Sequence, residues 1–164
     1  MIEDFLGQHV SNFRLTSATV GNLEQTDETL VLHYKFVVEH YAKAAGNLLL
    51  VRPRVLGANA WVVDPGKPRQ YPFQFLEASI ESDDFTISMP SGFVADDLPL
   101  PAEAKSDYGS YESKITVAGN ALHYERSCLI KSVYVPTQQL PDLRKFFGTI
   151  SADERASAVL RRSP

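Results

Sequence analysis

Apolar and polar residues alternate along the first quarter of the chain. The clearest run covers residues 30–40, where every second side chain is apolar: Leu30, Leu32, Tyr34, Phe36 and Val38. Because the side chains of a strand point alternately to its two faces, this pattern predicts a β-strand with one apolar face. Residues 13–20 predict another strand, and the polar residues 21–28 between the two predict a loop. We therefore expect a β-hairpin here.

A second hairpin is predicted around Gly119-Asn120, where residues 111–117 and 121–133 form the two arms. The remaining strand signals are short apolar runs bounded by turn residues. They predict strands at residues 48–52, 60–63, 73–81 and 85–89, with turns at residues 64–68 and 82–84. Residues 90–104 hold three prolines and no sustained period, and we interpret them as an extended surface loop.

The pattern changes to a helical period near the C-terminus. Apolar residues recur there at three-to-four spacing: Leu140, Leu143, Phe146, Phe147 and Ile150. Ser151 and Glu154 have the spacing of a capping box, which predicts a second helix start leading into residues 155–160, although that tail is also compatible with a closing strand.

Many short strands without intervening helices favour an antiparallel sheet arrangement over a parallel α/β sheet. The predicted fold is mainly β, an antiparallel β-sandwich of about eight strands with a short C-terminal helix. A length of 164 residues suits one domain, so we interpret residues 1–164 as a single β-sandwich domain.

Composition excludes several classes of function. The formal net charge of −4, with Lys and Arg spread among acids, does not favour binding to nucleic acid. No apolar run approaches the roughly 20 residues of a transmembrane helix. Residues 1–7 lack the features of a secretory signal, and a single cysteine leaves the compartment open.

The chain shows few residues in patterns that support catalysis or metal binding. Cys128 shares a strand face with Leu122, Tyr124 and Ile130, so we interpret it as a core residue rather than a nucleophile. The four histidines form no metal-binding motif, and the pairs Asp83-Asp84 and Asp96-Asp97 are typical of solvated turns. No catalytic residue, metal or cofactor is predicted.

Aromatic residues provide the one candidate binding site. Trp61, Tyr71 and Phe73 lie close together in the sequence, and exposed rings would offer a ligand or a neighbouring domain a contact surface. Packing in the core is the alternative, because aromatic rings bury large areas.

Several short motifs, in order, resemble a known bacterial family. They are Arg69-Gln70-Tyr71-Pro72, Met89-Pro90-Ser91-Gly92-Phe93, Leu98-Pro99, Gly109-Ser110-Tyr111, Leu122-His123-Tyr124-Glu125-Arg126, Leu140-Pro141-Asp142-Leu143-Arg144-Lys145-Phe146-Phe147 and Val159-Leu160-Arg161-Arg162. The stretch from about residue 48 to residue 162 is similar to the domain of unknown function that ends bacterial proteins with a central transglutaminase-like (papain-like) domain. Leu140 departs from the pattern, which has an aromatic residue at this position.

The resemblance implies that the chain is the C-terminal part of a larger multidomain protein. The catalytic Cys, His and Asp of such proteins lie in the central domain, and no motif of this sequence matches them. The implied function is a non-catalytic accessory domain that packs on a covalently linked, upstream transglutaminase-like domain. A periplasmic or cell-envelope location is favoured only if that larger protein is secreted.

Two alternatives remain open from the sequence. One is a β-sandwich module that binds carbohydrate or the cell envelope, with a glycan as partner. The other is an enzyme in its own right, which requires His123, Glu125 and Asp107 to converge in one pocket.

Overall fold

The computed structural model of the chain describes residues 2–57, 70–131 and 134–163. Within these residues there are two α-helices, one 3-10 helix and twelve β-strands. In chain order they are α1 (Ile2–His9), β1 (Phe13–Gly21), β2 (Val31–Val38), β3 (Lys43–Ala45), β4 (Leu48–Val51), β5 (Phe73–Gln74), β6 (Ser79–Ser88), β7 (Phe93–Asp97), β8 (Ala102–Ser106), β9 (Gly109–Ala118), β10 (Ala121–Ile130), β11 (Tyr134–Val135), the 3-10 helix (Thr137–Gln139), α2 (Leu140–Arg155) and β12 (Ala158–Arg162).

All paired strands are antiparallel. One four-stranded sheet has the order β6-β10-β9-β8, which we call the central sheet, and a second has the order β3-β4-β12-β7. The pairs β1-β2 and β5-β11 form separate two-stranded sheets. The prediction of a mainly β, antiparallel fold with a short C-terminal helix is confirmed.

Two apolar clusters cover the inner face of the central sheet. At one end, Ile115, Leu122 and Tyr124 pack against Ala158 and Leu160 of the second sheet, which makes the sandwich. At the other end, the sheet packs against α2 through a cluster of these residues: Tyr111, Cys128, Ile130, Leu140, Leu143, Phe146, Phe147 and Ile150. Strand β10 alternates strictly between buried and half-buried positions because one of its faces lies on these clusters.

Both predicted hairpins are present. β9 and β10 pair across Gly119-Asn120, and Gly119 has a φ of +59° that favours glycine in the turn. β1 and β2 pair as the sequence alternation predicts.

Three local predictions are wrong, and one helix was not predicted. Residues 90–104 are not all loop, since they contain β7 and the start of β8. Residues 82–84 are not a turn, because β6 continues through them in pairing with β10. Ser151 and Glu154 cap no second helix but lie within α2, and residues 158–162 form the alternative closing strand. The unpredicted helix α1 precedes the first hairpin. The predicted strand at 60–63 and the turn at 64–68 lie outside the described residues.

Candidate interaction site

The three aromatic residues predicted as a contact site have different surroundings. Tyr71 has 77% of its surface exposed. Phe73 is half-buried against the cluster beneath α2, and its ring meets Phe75 edge-on at a centroid distance of 4.9 Å. Trp61 lies outside the described residues. The structure therefore places Tyr71 at the surface and Phe73 against the core.

A larger apolar surface lies on the first hairpin. One face of this hairpin, which we call the hairpin face, consists of four cross-strand pairs: Phe13 with Val38, Leu15 with Phe36, Ala18 with Tyr34, and Val20 with Leu32. The rings of Tyr34 and Phe36 are neighbours on it, with centroids 6.0 Å apart. Every residue of this face is apolar apart from the hydroxyl group of Tyr34.

A β-bulge keeps these residues on one face. Leu15 and Ala18 are three positions apart, and in a regular strand an odd spacing places two side chains on opposite faces. The pairing register shifts between Leu15 and Ser17, so one extra residue is accommodated at that point. As a result, Ala18 and Val20 return to the face of Leu15 and Phe36.

The hairpin face takes no part in either core cluster. Toward the hairpin tip its residues are exposed, with Val20 at 47% and Leu32 at 40% of their surface. Near the base, α1 lies beside Phe13, since a Cβ added at Gly7 would be 3.8 Å from that ring. No residue of the two strands is buried. The face is therefore half-buried toward its base, while Ala18, Val20 and Leu32 at its tip are left exposed by the described residues.

The base of the hairpin adjoins the rest of the domain at a cluster of charges. We define the arginine cluster as Arg54, Glu81, Asp83, Arg126 and Glu154. Arg126 donates to Asp83 at 3.1 Å, to Glu81 at 3.3 Å and to Glu154 at 3.1 Å, and its side chain has 0% exposure. Arg54, 6% exposed, donates to Glu154 at 2.5 Å and to Asp83 at 3.0 Å.

The arginine cluster joins three parts of the fold. Arg54 follows β4, Glu154 lies in the last turn of α2, and Arg126 is on the inner face of the central sheet. A cavity of about 460 Å³ lies between Arg54 and Glu154 on one side and the hairpin base, with Asn12 and Val38, on the other. The cluster therefore joins the end of β4, the end of α2 and the central sheet beside the base of the hairpin.

A second polar group extends this arrangement along the sheet. The hydroxyl groups of Tyr111 and Ser113 both donate to Asp153, at 2.5 and 2.7 Å. Burial raises the pKa of Tyr111, and the hydrogen bond to Asp153 raises it further. Burial also raises the pKa of Tyr124 to about 12, with a contribution from the charge of Asp153. Both phenols are therefore neutral at physiological pH.

The surroundings of Arg126, by contrast, favour the charged form of its side chain. Burial lowers the pKa of this guanidinium, while the carboxylates of Glu154 and Asp83 raise it, and the net shift is upward. Arg126 is therefore a permanent cation held between acids of a sheet strand and a helix end.

Sequence reasoning missed the arginine cluster. The available signal was Arg126 itself, which occupies a buried position in the alternation of Leu122, Tyr124, Cys128 and Ile130. Asp83 was expected in a solvated turn but lies in β6, where it pairs with both arginines. Asp96 lies at the end of β7 and accepts from Arg161 at 2.8 Å.

The residues of the enzyme alternative do not all come together. His123 and Glu125 share the outer face of β10, where the His123 Nε2 lies 3.8 Å from a Glu125 oxygen. Asp107 lies in the turn between β8 and β9, at the far end of that sheet from Gly119. Cys128 is 4% exposed, and burial raises the pKa of its thiol.

In the described part of the chain, no three His, Cys, Asp or Glu side chains are arranged as metal ligands. No helix there has the length and apolar character needed to cross a membrane.

These features define a β-sandwich domain with a projecting apolar hairpin. Residues 47–160 match the family described as "Domain of Unknown Function with solved-structure structure (DUF3858)". The match covers more than half of the chain, and the chain belongs to this family. The match begins after the first hairpin.

A solved structure shares the fold. It is the crystal structure of a "putative protease" from Parabacteroides distasonis, with a TM-score of 0.58 and 13% sequence identity. The similarity covers 72% of this chain and 24% of that chain. The matched part of this chain therefore corresponds to about a quarter of that chain. No curated protein sequence matches the chain.

Proposed function

We propose that this chain is a non-catalytic interaction domain that packs on a transglutaminase-like catalytic domain of the same polypeptide and positions it. The observation that carries the proposal is the exposed tip of the hairpin face, formed by Ala18, Val20 and Leu32. A two-stranded hairpin is at best marginally stable alone in water, and contiguous exposed apolar surface marks interaction sites. A neighbouring domain seated on Val20 and Leu32, next to the half-buried ring of Tyr34, would cover this tip.

The order of domains along the chain supports a transglutaminase-like domain as the neighbour. The motifs of residues 69–162 resemble the terminal domain of transglutaminase-like proteins, which follows the catalytic domain. The hairpin precedes the family match at residue 47, on the side from which an upstream domain would connect. The similar structure from Parabacteroides distasonis contains this fold as 24% of a longer chain.

The state of Cys128 supports a non-catalytic role. A cysteine nucleophile reacts as the thiolate, and a low thiol pKa requires an accessible, electropositive site. Burial raises the pKa of Cys128, and its side chain packs in the core beneath α2.

Two substitutions on neighbouring residues of β2 test the proposal. Leu32 lies on the hairpin face and Val31 on the opposite face, with similar exposures of 40% and 37%. In the natural polypeptide, Leu32→Glu should lower the melting temperature of this domain in scanning calorimetry, because a charge would face the apolar neighbour. Val31→Glu should leave it unchanged.

The same pair in the 164-residue chain alone provides the control. Neither variant should change its melting temperature appreciably, because both side chains are exposed there. Equal effects of the two substitutions in the natural polypeptide would contradict the proposal. So would a natural polypeptide whose mass is close to 18.2 kDa, since no neighbour would then be attached.

A further inference from the structure

Strand β8 forms an edge of the central sheet, next to β9. The direction of its backbone groups follows from the turn that joins these strands. Ser106 pairs with Gly109 across a two-residue turn, which makes them a hydrogen-bonded pair. The Lys131 N–H donates to the Tyr108 carbonyl at 2.8 Å, so residue 108 faces β10 and residue 109 faces β8.

The directions of the other backbone groups of β8 follow from the alternation along the strand. In an antiparallel pair, successive residues of a strand direct their N–H and C=O groups to opposite sides. Ser106, Ala104 and Ala102 therefore face β9, whereas Lys105 and Glu103 direct their backbone groups away from the sheet. In the described residues, no strand pairs with this side of β8.

A groove follows this edge. Its cavity of about 470 Å³ is lined by the consecutive residues 103–108 and by one face of α2, with Asp142, Lys145, Phe146 and Thr149. Consecutive strand residues point to opposite faces, so a cavity that touches all of them runs along the backbone edge. Edge strands beside a helix accept extended peptides as an additional strand.

The charged side chains of β8 favour particular charges at the opposite positions of an added strand. Glu103 and Lys105 lie on the outer face, are 61% and 77% exposed, and form an ion pair. Glu103 is also directly opposite Glu112 of β9, and like charges in this relation repel. A basic residue opposite Glu103 and an acidic residue opposite Lys105 would complement both.

The direction of an antiparallel strand sets the order of these charges. It meets Lys105 first, then Ala104, then Glu103, so it reads acidic, apolar, basic. The apolar side chain would point to the inner side, toward Phe146 and the helix. Glu103-Ala104-Lys105 itself has this order, which raises the option of two copies pairing edge to edge.

Helix α2 disfavours a second copy. Ala102 and Ala104 of β8 pack against the cluster formed by α2, so the helix stands over the edge strand. Neighbouring strands lie about 4.8 Å apart, whereas packed helix axes need about 8–10 Å. Two β8 strands in register would force the two α2 helices together, while a lone extended segment has no helix to place.

We propose that the groove between β8 and α2 binds an extended segment of a partner protein, with the sequence order acidic, apolar, basic, as an antiparallel strand on β8. This surface is separate from the hairpin face and does not depend on the proposed function.

A synthetic peptide tests the proposal by isothermal titration with the 164-residue chain. The probe is acetyl-Thr-Val-Glu-Val-Lys-Val-Thr-amide, and the control has its Glu and Lys exchanged. We expect the probe to bind at least fivefold more tightly than the exchanged peptide. Absence of binding, or equal binding of both peptides, would overturn the proposal.

Backbone modification of the peptide tests strand addition without altering the protein. The Glu and Lys of the probe would face Lys105 and Glu103 as hydrogen-bonded pairs, whereas the central Val directs its N–H outward. N-methylation of the Glu and Lys should weaken binding at least tenfold, and N-methylation of the central Val should have less than a threefold effect. Equal effects would refute binding at this edge.

Variants of one residue provide the matching test on the protein. Lys105→Pro removes the outward N–H, while Lys105→Ala removes only the charge, and proline is tolerated on edge strands. The proline variant should bind the probe at least tenfold more weakly than the alanine variant, with circular dichroism confirming that both fold. A native chain that sediments as a dimer, and a proline variant that sediments as a monomer, would show that a second copy occupies the edge and would refute the proposal.

Discussion

Replacing Arg126 by methionine tests whether the arginine cluster holds the domain together. Removing one partner of a buried ion pair costs about 3–5 kcal/mol, because the remaining charge stays buried without compensation. Arg54 still contacts Glu154 and Asp83 after the substitution, so the lower end of that range applies. We expect the free energy of unfolding to fall by about 3 kcal/mol.

Urea denaturation of the 164-residue chain measures this loss. With a denaturant slope of about 2 kcal/mol per molar, the unfolding midpoint should fall by about 1.5 M. Arg161→Met is the matched control, because Arg161 also pairs with an acid, Asp96 at 2.8 Å, but its side chain is 42% exposed. An exposed pair contributes about 1 kcal/mol or less.

The difference between the unfolding midpoints of Arg126→Met and Arg161→Met shows whether the buried cluster stabilises the domain. If Arg126→Met and Arg161→Met shift the midpoint equally, burial of the cluster has no energetic consequence. If Arg126→Met raises the midpoint, the ion pairs of Arg126 do not stabilise the fold, and the cluster does not hold the domain together.

Three further changes have definite expected outcomes. Gly109→Ala should destabilise the chain by about 1–3 kcal/mol in urea denaturation, because the new Cβ would lie 2.0 Å from the Leu129 carbonyl oxygen, whereas Gly148→Ala, with no atom within 4 Å, should not. Cys128 should react with a thiol reagent only as fast as the chain opens, since burial raises its pKa, and a fast reaction in the native state would contradict this. Tyr124, whose pKa burial raises to about 12, favours the folded state below pH 10; the free energy of unfolding should therefore fall as the pH rises from about 10 to 12, and a flat profile would contradict it.

The elements that sequence alternation predicted best are those with one apolar face. β2 and β10 are examples, and the position of Cys128 followed from its register with Leu122 and Ile130. β7 and β8 were missed because both lie at sheet edges. β8 reads Ala-Glu-Ala-Lys-Ser, in which the inward residues are small and carry almost no hydrophobic signal.

The candidate site was less predictable because it depends on long-range contacts. Arg54 and Glu154 are 100 positions apart, and no local pattern connects them. The apolar alternation of residues 30–40 was visible, but alternation alone does not distinguish a strand face that lies on the core from one that is partly exposed. Only the three-dimensional arrangement shows that Leu32 and Val20 remain exposed.

Hydrogen exchange shows directly whether another domain covers the tip of the hairpin face. The natural polypeptide and the 164-residue chain alone would be compared by mass spectrometry, with amides of β9 and β10 as the internal reference. We expect β1 and β2 to exchange at least tenfold more slowly in the natural polypeptide, because the proposed neighbouring domain would cover the tip of the hairpin face. Identical exchange of β1 and β2 in both proteins would contradict this expectation.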